Sequence, residues 1–570
     1  MFTSDDATHT GSPIVEPLDP TLINPAERQG NPMSPEMGTT YDVLVAGAGP
    51  IGLMLALELR LAGVRVLVVE RREEPDTVVK AEGINTASIE ALDRRGLLPV
   101  VDAVVRRLFP EPPKTPGVAR GDYAPFAGHF GGIQIPAGPV DRDDPLLRNR
   151  GQAGWYLQIP QVELERVLGQ RAVQLGVEVR RGIEVCGFDA DDSGVTVHLA
   201  NGGDVRAAWL VGCDGGRSQV RRLAGFEFPG TDPEIIGRQG VFTVKGAEQL
   251  KSGWQYTPTG LYVSGPKPGR LRTMEFDSSP AGRSEATRGF DPAGRSEATR
   301  GFDPADRDAP VTEAEMEDSV RRVSGVDVRI TDIVSAARFT DNARQATTYR
   351  RGRVLLCGDA AHVHSPFSGQ GMNLGFGDAV NLGWKLAATV QGWAPEGLLD
   401  TYTSERHSVG AAILDWTRAQ VAVMRGDAAS SALRSVLTDF FGTSDGATYY
   451  VKRASGLWPR YDLGETDSHP LVGSMMPKIQ FDDGTWLADH AHTGRTLLVD
   501  LAGDERLSAL ARPYAGRVEL IRGGADGSGL SGLLVRPDGF VAWASADGAG
   551  DLTVLKAAVT QWLGDGTRVS

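Results

Sequence analysis

At 570 residues the chain is too long for a single hydrophobic core, and about two to four domains are expected. A hydrophobic share of 41% with 23% charged residues describes a globular chain in water, and no apolar run approaches membrane-spanning length. The net charge of -14 argues against a nucleic-acid partner, because phosphate binding needs clustered Lys and Arg.

Residues 1–40, rich in Pro, Ser, Thr, Asp and Asn, are expected to form a disordered leader. At Tyr41 the pattern changes. Val43–Ala46 predicts a strand, Gly47-Ala48-Gly49-Pro50-Ile51-Gly52 a glycine turn, Leu53–Leu61 a helix, and Val64–Val69 a second strand ending at Glu70. Here G-x-G-x-x-G sits between strand and helix with an acid about twenty residues on, the fingerprint of a dinucleotide site. Gly47 would permit the turn, Gly49 the approach of a pyrophosphate, Gly52 close helix–strand packing, and Glu70 would accept from a ribose.

Residues 100–155 are rich in Pro and Gly, with scattered aromatics. Leu210–Gly212 predicts a strand that runs into Cys213-Asp214-Gly215-Gly216-Arg217-Ser218. Gly240–Val244, Gly260–Val263 and Leu271–Phe276 alternate with period two, predicting a sheet with one buried face. Pro280–Asp291 is repeated without change as Pro292–Asp303. Two copies cannot form a solenoid, so the repeat is expected as exposed coil. Glu313–Arg322 predicts a helix, and Val326–Ile330 and Ala336–Phe339 predict two strands.

Val354–Leu356 predicts a buried strand that stops at Gly358-Asp359. A loop of Gly, Ser and Pro follows, and then a helix from Asn373. A glycine-lined loop feeding a helix N-terminus collects unpaired N–H groups and favours negative charge. Helices are expected to continue to about residue 425, with Ser404-Glu405-Arg406-His407 as a surface salt-bridge run. The last hundred residues alternate strands (Thr496–Leu501, Val518–Ile521, Leu533–Val535, Phe540–Trp543) with helices (Glu505–Ala511, Leu552–Leu563). Cysteines 186, 213 and 357 have neither CxxC nor metal-ligand spacing, so no metal site is expected and a reducing, cytoplasmic setting is.

Taken together and in order, Gly47–Gly52, Cys213–Ser218 and Gly358–Asn373 resemble the FAD-dependent single-component aromatic hydroxylases of the para-hydroxybenzoate hydroxylase type, in particular the antibiotic-tailoring members. The resemblance implies an α/β fold: a Rossmann-like FAD-binding domain, an interleaved β-sheet substrate domain and a thioredoxin-like C-terminal domain. It divides the chain into FAD-binding parts at 41–105, 155–225 and 341–425, a substrate-domain excursion at 106–154, and a substrate sheet at 226–340 that carries the 280–303 loop. A helical linker at 426–465 and the C-terminal domain at 466–570 complete it. No cysteine follows Cys357, so the last domain is read as structural or interfacial.

By the same resemblance Gly47, Gly49, Pro50, Ile51, Gly52, Glu70 and Arg71 match the adenosine-diphosphate end of FAD, and Gln161 and Asp359 its ribityl region. Asp214 and Gly215 match a motif that handles both FAD and NADPH, and Pro366, Gly371, Met372 and Asn373 the segment beneath the isoalloxazine ring. Lys80 stands where many members carry a flavin-contacting arginine, and it lacks the planar fork of that side chain. His362 and His364 are read as structural, and no side chain is assigned as a catalytic acid or base.

The implied reaction is hydroxylation of a polycyclic aromatic by NADPH and O2 through a flavin C(4a)-hydroperoxide, in a monomer or homodimer. The same flavin could instead perform Baeyer–Villiger insertion or inactivate an antibiotic by oxygenation. A flavoprotein that sequesters a drug or intermediate without turnover is the reading from another class.

Overall fold

The run Tyr41–Ala46 has its central residues Val43, Leu44 and Val45 fully buried, as a strand covered on both faces requires. The computed structural model describes residues 41–76, 81–110, 126–148, 156–265, 268–276, 309–464, 469–525, 529–546 and 552–566. The expected leader, Lys80 and the duplicated 280–303 segment lie outside the described residues.

Tyr41–Ala46 lies at the centre of a parallel sheet, between Val66–Glu70 and Asp204–Gly212. Glu178–Arg181 and Val354–Leu356 extend it on the two sides. In register, Ala46 pairs with Gly212 and Gly212 with Leu356, so three strands end side by side. All three glycine-bearing loops leave from that edge, where a crevice opens beyond the carboxyl ends of the strands. The helix after the first strand starts at Pro50, earlier than the apolar pattern predicted, because proline at the first helical position loses no hydrogen bond.

A second, antiparallel sheet roofs the crevice in the order Gly253–Thr257, Gly260–Ser264, Arg270–Phe276, Ile235–Lys245, Arg329–Thr340. The two strands expected between 326 and 339 are one, Arg329–Thr340. Two register shifts against Ile235–Lys245 interrupt the alternation and made it read as two pieces. Helix Glu313–Ser324 packs Met316, Val320 and Val323 on the outer face of this sheet. On the inner face Ile235, Leu261 and Met274 meet Phe367 and Met424.

The C-terminal sheet runs Val518–Arg522, Thr496–Asp500, Gly532–Val535, Val541–Ser545, with its first pair parallel and the rest antiparallel. Helix Glu505–Ala511 joins the parallel pair and Leu552–Leu563 follows the hairpin, which is the thioredoxin-like arrangement. No helix among the described residues is long and apolar enough to cross a membrane.

The run Ser404–His407 corrects the sequence reading. It lies in helix Thr401–Met424, but Glu405 and Arg406 are buried rather than surface residues. Glu405 accepts from both terminal nitrogens of Arg536 at 2.8 and 2.7 Å and pairs with Lys385 at 2.9 Å. Asn381 bridges Glu405 to Asp538 at 2.6 and 3.0 Å. Arg536 and Asp538 belong to the turn Arg536-Pro537-Asp538-Gly539 between strands Gly532–Val535 and Val541–Ser545, which meets helices Gln370–Val390 and Thr401–Met424. Burial alone would raise the Glu405 carboxyl, but Arg536 and Lys385 outweigh it and hold it down at about 2.

Removing one partner from such a network strands a buried charge, so Glu405→Ala should destabilise the fold by about 3–5 kcal/mol. The shift in the denaturant midpoint checks this. The same lowered pKa means that Glu405 stabilises fully above about pH 4.5 and loses its contribution as pH falls towards 2. Glu405→Gln should flatten that part of the acid-unfolding curve.

Candidate active site

A cavity of about 2550 Å³ fills the crevice between the parallel sheet and its roof. Ligand pockets are commonly about 300–1,000 Å³, so this one has room for two molecules. At one end it is walled by Gly47, Gly49, Pro50, Ile51, Glu70 and Arg71. Gly47 has a φ of 110°, and a Cβ there would collide with the Cys213 carbonyl, so glycine is required. Nothing lies within 4 Å of where a Gly49 Cβ would stand, which leaves its backbone open to a ligand. Gly52 does not line the cavity; its missing Cβ lets the helix pack on the Gly47 carbonyl. The Glu70 carboxylate accepts from the Ala48 N–H at 2.8 Å and the Arg72 N–H at 2.9 Å, which ties the second strand to the glycine turn.

The middle of the cavity is lined by Gln161, Asp214, Gly215 and Asp359. Gln161 donates to Glu165 at 2.8 Å. Asp214 caps helix Gln219–Leu223, its Oδ2 accepting from the N–H groups of Gln219 and Val220 at 2.6 and 3.1 Å. Its other oxygen, Oδ1, is buried without a partner. His364 Nδ1 bonds the Ser365 carbonyl at 2.8 Å, which leaves Nε2 as a buried acceptor without a partner. The glycine turn with no room for a side chain at Gly47, the open backbone of Gly49 and the polar side chains of Gln161, Asp214 and Asp359 along one cavity are what a dinucleotide with a hydroxylated chain requires. The residues therefore fit FAD.

At the far end stand Pro366, Gly371, Met372 and Asn373. The helix opens at Gln370, three residues before the predicted Asn373. Its first-turn N–H groups at the cavity accordingly include those of Gly371 and Met372, and the N–H of Asn373 can already reach the Gly369 carbonyl. The Asn373 side chain works inward, accepting from the Asn85 N–H at 2.9 Å and the Ser88 hydroxyl at 2.7 Å.

Beneath this floor Asp378 is fully buried. It accepts from the Gly358 N–H at 3.1 Å and Arg406 Nε at 2.8 Å, and bonds His362 Nε2 at 2.6 Å. Burial pushes its carboxyl up, but His362 and Arg406 prevail and hold it below the usual range. His362 is held in this buried network, whereas His364 lines the cavity.

The roof brings Arg270, Arg272 and Ala337, which the sequence alone did not single out, and the separate hairpin strand Phe126–Phe130 brings His129. The available signal was Arg270 and Arg272 at alternate positions of a strand, which places both charges on one face. Cys213 is half-buried at the cavity wall and Cys357 is buried beside it, both as free thiols.

Residues 40–417 match the FAD binding domain family and residues 469–566 the C-terminal domain of aromatic-ring hydroxylases. The chain is 38% identical to anhydrotetracycline monooxygenase of Streptomyces rimosus, covering 92% of this chain and 99% of that protein. It is 37% identical to rifampicin monooxygenase of Streptomyces venezuelae, over 92% and 99% of the two chains. The solved structure of anhydrotetracycline hydroxylase from Streptomyces rimosus superposes with a TM-score of 0.76 at 35% identity, covering 92% of this chain and all of that one.

Gly49→Val should leave the fold intact, since its side chain meets open space, and should weaken FAD binding by at least about tenfold, read by flavin titration. Gly52→Ala should instead lower the unfolding midpoint, by about 1–3 kcal/mol from overpacking.

Proposed function

The chain belongs to the family of FAD-binding aromatic-ring hydroxylases and is a flavin-dependent monooxygenase; we propose that it hydroxylates a polycyclic aromatic of the polyketide or antibiotic type, using NADPH and O2. The observation that carries this reading is the continuous cavity, large enough for a flavin and a multi-ring substrate together. The named substrates of the relatives, anhydrotetracycline and rifampicin, are likewise large ring systems.

In this reading the open face of Gly49 receives the pyrophosphate and Glu70 the adenosine ribose. Gln161, Asp214 and Asp359, which line the cavity, bond hydroxyls of the flavin's sugar chain. The first-turn N–H groups of Gly371 and Met372 face the electron-rich end of the ring system, where they stabilise negative charge. Pro366 and the roof exclude water from the space where substrate lies. FAD, when reduced by the nicotinamide nucleotide, supplies the activation of dioxygen. The protein contributes position and dryness, holding an electron-rich carbon against the activated oxygen. The free thiols Cys186, Cys213 and Cys357 suit a reducing cytoplasm, where the protein would act as a monomer or homodimer.

NADPH consumption by the FAD-loaded protein should rise when a polycyclic phenol from a panel is added, and the product mass should gain one oxygen atom. Fragmentation of that product separates ring hydroxylation from ring-expanding insertion. Tight binding across the panel without any NADPH consumption would instead mean a sequestering protein.

A further inference from the structure

The edge of the parallel sheet that carries the glycine turn also brings two thiols together. Gly212 and Leu356 are register partners on the neighbouring parallel strands Asp204–Gly212 and Val354–Leu356. Cys213 and Cys357 are the next residue on each. The ladder continues into both: the Cys357 N–H donates to the Gly212 carbonyl at 3.0 Å and the Cys213 N–H to the Ala46 carbonyl at 2.8 Å. The Cys357 backbone is still extended. Side chains at matching positions of neighbouring parallel strands leave the same face, with the strands about 4.8 Å apart. A disulfide needs Cα atoms about 4.4–6.8 Å apart, so this pair stands within bridging distance.

The two thiols are unequal. Both line the cavity and both are free, but Cys213 is half-buried and Cys357 buried. Burial pushes the Cys357 thiol well up, and the neighbouring Cys213 thiol adds to it. Cys213 is therefore the one that a small oxidant in the cavity reaches first. It also packs under the glycine turn. A Cβ on Gly47 would collide with the Cys213 carbonyl, and one on Gly52 would stand 3.2 Å from the Cys213 Cβ. The turn that fits a dinucleotide thus rests directly on Cys213. A disulfide draws its two sulfurs to about 2.05 Å, and a close-packed interior passes such a movement on to its neighbours. The third cysteine, Cys186, stands exposed on the strand Val185–Asp191.

We propose that Cys213 and Cys357 form an oxidisable dithiol that hydrogen peroxide converts to a disulfide, and that this disulfide and FAD oppose one another's formation and binding. The site goes beyond the monooxygenase reading and depends only on FAD binding. The Cys213 sulfur attacks one peroxide oxygen, the O–O bond breaks, and one water leaves with Cys213 as a sulfenic acid. The Cys357 sulfur then attacks the Cys213 sulfur, the S–O bond breaks, and a second water leaves. Both sulfurs are oxidised, both peroxide oxygens are reduced, and the two thiol protons end on the two waters. Reduced flavin that meets dioxygen with no substrate in place is a source of that peroxide. The coupling is reciprocal, so bound FAD disfavours the disulfide by the same factor by which the disulfide weakens FAD binding.

The test uses the full-length protein carrying Cys186→Ser, so that only the two crevice thiols can react, at saturating and at limiting FAD. Dilute hydrogen peroxide should remove two hydrogens from the intact mass and link the Cys213 and Cys357 peptides, and dithiothreitol should reverse both changes. The linked protein should bind FAD at least tenfold more weakly by flavin titration. By linkage the dithiol potential should then differ by about 30 mV or more between saturating and limiting FAD. In Cys357→Ala the FAD affinity should no longer respond to peroxide, whatever its starting value. Peroxide that leaves Cys213 and Cys357 unlinked at limiting FAD overturns the proposal, as does a linked protein that binds FAD as tightly as the reduced one. A Cys357→Ala protein that loses FAD on peroxide treatment as readily as its parent overturns it too, because the disulfide would not be the cause. No arm involves substrate or NADPH, so the monooxygenase reading stands or falls separately.

Discussion

The buried carboxylate of Asp378 is the joint on which the active-site floor depends. It ties the Gly358 N–H and the His362 ring to helix Gln370–Val390, and Arg406 locks it from the next helix. The loop that carries Asp359, His364 and Pro366 therefore cannot shift without breaking charge-assisted hydrogen bonds in a dry environment, where they are strongest. Arg406 also bonds the Leu374 carbonyl at 3.0 Å and the Tyr461 hydroxyl at 2.9 Å, which carries the constraint outward.

From there the same helices enter a second set of buried charges. Lys385, one end of which bonds Asn381 at 2.9 Å, and Glu405 meet Arg536 and Asp538 of the C-terminal domain. Arg95 adds a further bridge, pairing with Glu58 at 2.7 Å and bonding the Pro537 and Ala491 carbonyls at 2.8 and 3.0 Å. A domain without a cysteine of its own thus closes the far side of the flavin-domain helices. Ion pairs of this kind contribute less net stability than apolar packing would, but they are intolerant of any other alignment.

The roof follows a different logic. Its outer face is apolar and packed by helix Glu313–Ser324, while its inner face is split between an apolar patch at Met274 and the arginines at 270 and 272. The period-two geometry of a strand allows this division, because alternate residues face opposite sides and a short run of one face can change character. Rigid floor and chemically mixed roof together enclose one cavity, with the glycine turn on one wall and the roof arginines on another.

What was legible in the sequence was local. Gly47, Gly49, Gly52 and Glu70 could be placed because their spacing within one strand–turn–helix unit dictates their geometry, and the α/β class and family followed from three such units in order. The strand boundaries near 326–340 and the helix start at Gln370 were missed where bulges and a glycine-rich first turn obscure the apolar period. Three things were decided only by the tertiary structure. Glu405 and Arg406 are buried rather than exposed, His364 lines the cavity while His362 is buried beneath its floor, and Arg272 lacks, among the described residues, the carboxylate partner that Arg270 has. Each depends on which residues from distant parts of the chain arrive at the same place. A charged side chain carries the same letter whether it meets water, a partner or an empty cavity, so only the assembled packing distinguishes the three.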